Sequence, residues 1–153
     1  MRLFPTLVML CAFLACAAAY GSDDTQYEQG SLDELLHLPK PETGVDVFTP
    51  HKLHFRAVLT EYGQECYTDF LKKVMILVNA SREAVEDAAA SECITVASER
   101  GSAVPLFIDE RGAQRLRKEV KLGQEIDIFC EFLYVEPTGP GILVHDFRPV
   151  KEH

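Results

Sequence analysis

Over residues 124–135 the chain alternates without a break: Ile126, Ile128, Cys130, Phe132 and Tyr134 share one parity, and Asp127, Phe129, Glu131, Leu133 and Val135 share the other. Successive side chains of a strand point to opposite faces, so a run of this length demands a sheet with one wholly apolar side. Glu136-Pro137-Thr138-Gly139-Pro140-Gly141 is turn chemistry, and residues 142–147 then read as a partner strand. Cys130 falls on the apolar parity, where a free thiol acts as a small hydrophobe.

Upstream, Leu53, Phe55, Ala57 and Leu59 alternate with His54, Arg56, Val58 and Thr60 up to a stop at Glu61-Tyr62-Gly63. This predicts a strand over 52–62 with one half-polar face. Tyr67, Phe70, Leu71, Val74 and Val78 lie at spacings of three and four, which favours a helix over 67–78. The run Val74-Met75-Ile76-Leu77-Val78 would also suit a buried strand. Ser81 caps a second helical piece rich in Ala and Glu, up to about Ala90. Ile94-Thr95-Val96-Ala97 and Val104-Pro105-Leu106-Phe107-Ile108 flank Glu99-Arg100-Gly101-Ser102 as a hairpin, with Pro105 expected where no N–H is needed. Asp109 caps a helix that runs to about Lys121 and stops at Gly123, its basic last turn facing the negative end of the helix dipole.

The first nineteen residues hold Arg2, an apolar middle and Ala17-Ala18-Ala19 before the polar Gly21-Ser22-Asp23-Asp24. That arrangement describes a secretory signal peptide over 1–19, cut before Tyr20. The apolar run is shorter than the roughly 20 residues a bilayer span needs, which argues against a retained anchor. Cys16 offers lipidation as the alternative, and only then would the chain engage a membrane. Phe13 and Leu14, however, stand where a lipoprotein signal has a branched and a small residue. Losing Arg2 with the leader takes the formal charge from −9 to −10. A chain so acidic lacks the cationic footprint of a nucleic-acid binder. Beyond the leader, Cys66, Cys93 and Cys130 remain, so an oxidising compartment permits one bridge and one free thiol. With Cys130 on the apolar face, Cys66–Cys93 is the preferred pairing, the other two staying open. The expected location is periplasmic or secreted.

Residues 20–50 look like an extended arm, broken by Pro39, Pro41, Gly44 and Pro50, with one short helix where Ser31-Leu32-Asp33-Glu34 forms a capping box. The domain proper is expected over 51–153. Its order of strand, helical insert, hairpin, helix and hairpin is α+β. The strands at 52–62, 93–98, 103–109, 124–135 and 141–147, with helix 110–121 at the third junction and Leu122-Gly123-Gln124-Glu125-Ile126 leading into the fourth strand, resemble the small secreted OB-fold proteins of bacteria. The resemblance implies a five-stranded barrel, here carrying a helical insert from Gln64 to Ser91 after strand 1. A cystatin-like or other single-sheet α+β arrangement is the competing architecture.

No Gly-x-Ser-x-Gly elbow is present, and a thiol enzyme would need an activated Cys130 beside a histidine such as His54 or His145. His51, His54, His145 and Asp146 lack metal-ligand spacing, and adjacent strand residues point apart, so neither metal nor cofactor is expected. The turns at 99–102 and 139–141 do not open a helix as a phosphate loop does. Asn79-Ala80-Ser81 is an N-glycosylation sequon, meaningful only on a eukaryotic secretory route. Arg111, Arg115 and Lys118 lie at spacings of four and three on one helical face, with Arg117 and Lys121 nearby, and are the candidate ligand-binding residues. The expectation is a non-enzymatic binding module for a protein, peptide or glycan of the cell envelope. A small hydrolase or thiol-dependent enzyme, and an acidic inhibitor or immunity-type protein, are the alternatives.

Overall fold

A computed structural model describes residues 24–151. The leader 1–19, its junction before Tyr20 and Cys16 lie outside them. After a 3-10 turn at Asp24–Gln26 come strand β1 (Glu28–Gln29), helix α1 (Leu32–Leu36), strand β2 (Asp46–Gln64), helices α2 (Asp69–Leu77) and α3 (Arg82–Ala89), strands β3 (Glu92–Ala97) and β4 (Ala103–Ile108), helix α4 (Glu110–Glu119), and strands β5 (Glu125–Glu136) and β6 (Gly139–Pro149). The class is α+β, with a six-stranded mixed sheet and four helices.

The sheet runs β1-β2-β3-β4-β6-β5, and β2 also pairs with β5, so five of the strands close partly into a ring. Four of the ring's five pairings are antiparallel; β4 meets β6 in parallel through only Phe107↔Leu143 and Ile108↔Val144. That short seam leaves Pro105 exposed and outside the β4–β6 ladder, the position its missing N–H requires.

The strand count corrects the expectation of five. The sixth, β1, lies in the arm and pairs in parallel with Leu53 and His54 of β2. Its two residues gave no periodicity to read. The first long strand also extends well beyond 52–62, because Asp46 and Val47 already pair with Val135 and Tyr134 across a register shift that absorbs Pro50. The arm is therefore built onto the domain. Ser31 accepts a hydrogen bond from the Glu34 N–H, and Leu32 enters the core. Asp33 is buried and accepts from the Ser98 hydroxyl at 2.7 Å and the Arg100 N–H at 3.2 Å, pinning the β3–β4 turn.

Two apolar clusters fill the molecule. The larger lies within the ring and includes Phe55, Leu59, Val96, Leu106, Leu116, Ile126, Ile128 and Cys130. The smaller joins Leu71, Val74 and Met75 of α2 to Leu133, Tyr134 and Leu143. Leu71, Val74, Met75 and the partly buried Val78 trace one helical stripe, while Ile76 and Leu77 face solvent, which settles residues 69–77 as helix. Along β5 the alternation holds through Phe132. A bulge between Phe132 and Tyr134 then sends Tyr134 to the second cluster and Val135 to the first, opposite to their parity in the sequence. Cys66 and Cys93 form a disulfide with Cα atoms 5.6 Å apart, clipping α2 and α3 to the ring.

Candidate functional site

Helix α4 starts where the Asp109 carboxylate accepts the Gly112 N–H at 2.6 Å. Ala113, Leu116 and Val120 bury its inner stripe, which forces Arg111, Arg115, Arg117 and Lys118 outward. The expected basic cluster is divided by what each side chain meets. Arg115 donates to Asp146 and to the Phe147 carbonyl, stacks 4.1 Å above the Phe147 ring and lies 3.5 Å from Glu119. Its guanidinium holds the helix against β6. Arg111 borders a hollow otherwise lined by Glu83, Asp87, Ala90, Asp109 and Glu110, so its surroundings carry excess negative charge. Only Lys118, of the three, opens toward another concentration of cations.

That concentration is an open groove of about 740 Å³ between the C-terminal end of α4, the start of β5 and the end of β6. Lys118, Lys121 and Lys151 border it, and among the described residues none of them makes an ion pair. Glu119 is the single carboxylate in its lining among the described residues. Arg117 forms one wall, donating to the Gly63 carbonyl at 2.8 Å and pairing with Glu92. The Tyr62 hydroxyl donates to the Val120 carbonyl at 2.8 Å, anchoring the helix end to β2. The Gly123 N–H bonds the Leu59 carbonyl at 2.7 Å and fixes the loop that follows. On this framed loop Leu122 stands 53% exposed beside the lysines. The groove thus sets ammonium groups beside the exposed Leu122, with the partly buried Pro149 and Val150 also in its lining. Sequence spacing could suggest Lys118 and Lys121 but not Lys151, which arrives from the far end of β6.

The residues of the enzymatic alternative are scattered. His54 stacks on Phe129 with centroids 4.5 Å apart; its Nε2 is buried, 3.6 Å from Asp127, and makes no hydrogen bond among the described residues. His145 meets Glu131 at 3.2 Å and holds that carboxyl below the usual carboxylate range. The two histidines therefore address β5 carboxylates four residues apart, on the order of 13 Å along a strand. Burial and the neighbouring Glu131 push the Cys130 thiol far up, and its sulfur lies 3.5 Å from the Leu53 carbonyl. Among the described residues no group of three His, Cys, Asp or Glu side chains is placed to hold a metal ion. Neither a protein-family model nor a curated protein sequence matches this chain.

Proposed function

We propose that the protein is a secreted or periplasmic binding module, without catalytic activity of its own, that captures an acidic peptide segment of an envelope or extracellular protein in the α4–β5–β6 groove. The observation that carries this reading is the gathering of Lys118, Lys121 and Lys151, none of which makes an ion pair among the described residues, on a chain whose formal charge is −9. Exposed Leu122 favours a peptide over a glycan, because a peptide can place an apolar side chain beside its carboxylates. The ring order and the parallel seam between β4 and β6 support an OB-type barrel as the scaffold. Export is supported by the Cys66–Cys93 bridge and agrees with the finding that no described helix is long and apolar enough to cross a membrane.

The test is fluorescence anisotropy with labelled peptides of alternating Glu and Leu, against neutral peptides and a sulfated oligosaccharide. Reversing Lys118, Lys121 and Lys151 to Glu should weaken the acidic peptide at least about tenfold, taking each exposed charge at roughly 0.5–1 kcal/mol. Equal binding by the triple variant, or a preference for the sulfated oligosaccharide, defeats the proposal.

A further inference from the structure

Helix α2 ends in a two-bond stop: the Asn79 N–H donates to the Ile76 carbonyl at 3.1 Å and the Ala80 N–H to the Met75 carbonyl at 3.0 Å. The residue between must adopt the left-handed conformation, and Asn79 does so at φ 59°. This geometry fixes the backbone of Asn79 and turns its side chain out of the fold. The residue is exposed, and among the described residues its amide makes no hydrogen bond. Two residues on, Ser81 caps α3 by accepting the Ala84 N–H at 3.2 Å. Just before the stop, Ile76 and Leu77 stand 59% and 72% exposed.

We infer that Asn79 is the acceptor of an N-linked glycan when the chain passes through a eukaryotic secretory lumen. Asn79 and Ser81 each have a structural use, but neither use demands that residue: glycine serves best at a left-handed helix stop, and aspartate or asparagine caps a helix as well as serine. Glycan transfer is the one role that requires both together. In that step the Asn79 amide nitrogen bonds to the anomeric carbon of a lipid-pyrophosphate-linked oligosaccharide. The carbon–oxygen bond to the pyrophosphate breaks, the lipid pyrophosphate departs, and the amide loses one proton. The sugar would then cover Ile76 and Leu77. It would leave the lysine groove clear, because α2 packs near Leu133 while the groove opens by Gln124, roughly 30 Å away along β5.

The experiment is translation of the full chain, leader included, in the presence of microsomes, with import read by protease protection. A protected band should run slower and collapse to the unshifted position on endoglycosidase treatment. Asn79→Gly and Ser81→Asp, which preserve the helix stop and the cap, should import and run unshifted; Ser81→Thr should keep the shift. The inference is overturned if the wild-type chain is protected yet unshifted, if it remains protease-accessible, or if the shift survives in Asn79→Gly. None of these outcomes depends on peptide binding at the groove.

Discussion

Glycine 141 faces the ring of Tyr134 so closely that a Cβ would come within 3.0 Å of it, a separation real Cβ atoms essentially never show. Tyr134 is 1% exposed and packs edge-on against Phe70 with centroids 5.1 Å apart, so its ring cannot yield freely. Expelling the ring from the core would forfeit about 4–5 kcal/mol, from roughly 150–200 Å² of buried area. Shifting it within the core costs about 1–3 kcal/mol, and the molecule takes the cheaper course. Gly141→Ala should therefore lose about 2–3 kcal/mol, or roughly 10 °C in Tm for a domain of this size. Gly63→Ala is the control: its Cβ would also meet crowding atoms, but they are the ends of the partly exposed Glu92–Arg117 pair. That pair can step aside for less than about 1 kcal/mol. Urea unfolding of the single variants and of a Tyr134→Ala, Gly141→Ala double variant completes a cycle. Because the three nearest atoms that a Cβ at 141 would meet all belong to that ring, the double variant should be about as stable as Tyr134→Ala alone. Costs that add within about 0.5 kcal/mol, or a Gly141→Ala variant as stable as wild type, would refute the close-approach argument.

Replacing both Cys66 and Cys93 by Ala frees a 27-residue separation in the unfolded chain, worth about 3.5 kcal/mol by loop-closure entropy. The urea midpoint should fall by roughly 1–3 M, and a loss under about 1 kcal/mol would contradict that account. Glu131 has its pKa lowered, first by the hydrogen bond from His145 and also by the charges of His145 and Lys52, against the opposing effect of burial. A depressed carboxylate stabilises the fold above its ordinary value of 4.5, and that contribution is lost as pH falls through the folded value. Between about pH 5 and pH 3 the Tm of wild type should therefore drop more steeply than that of Glu131→Gln, and parallel curves would sink the assignment. Binding of the acidic peptide should weaken steadily as salt rises from about 0.05 M to about 0.3 M, because the groove lysines are solvent-facing. Salt-independent affinity would place the contact at Leu122 alone.

How much of this was legible in sequence depends on whether a residue's partner is local. The cap at Ser31, the α4 cap at Asp109 and the stripe Leu71, Val74, Met75 are fixed within one or two helical turns, and the helices form there. The Cys66–Cys93 bridge was reachable because Cys130 sits on an apolar parity that the structure buries. Strand β1 was not legible: Glu28 and Gln29 are polar and exposed, and the contacts that hold the arm in place, such as Asp24 with Arg148, Tyr27 with Phe129 and Asp33 with Ser98, are all distant in sequence. The bulge that exchanges Tyr134 and Val135 is likewise a property of the β5–β6 ladder, invisible in either strand by itself. For the basic cluster the limit is sharper. Helical spacing correctly put Arg115 and Lys118 on the outside, yet it could not foresee that Asp146 and Phe147 would claim Arg115. Nor could it bring Lys151 from β6 to the helix end.

The division of labour between the two kinds of cation follows from their chemistry. Arg56 meets Asp127 and Glu125, Arg82 meets Glu86, Arg115 meets Asp146, Arg117 meets Glu92, and Arg148 meets Asp24. A planar guanidinium matches a carboxylate with two donors and loses little freedom in doing so, which suits it to holding elements together. Lysine is a hydrated point charge on a flexible stem, and three of the chain's seven lysines line the one groove beside Leu122. Beyond about 8 Å at physiological salt their field is screened, and a distant polyanion faces a body of net negative charge. Under the proposed function, attraction would therefore operate only on groups that already fit the groove. A long uniformly charged polymer would run its remaining charges across the surrounding carboxylates. A short acidic segment with an apolar residue gains from both the ammonium groups and Leu122 without meeting that repulsion. On the proposed reading, selectivity would come from the limited reach of the three lysines, and the net acidity of the chain would be what limits it.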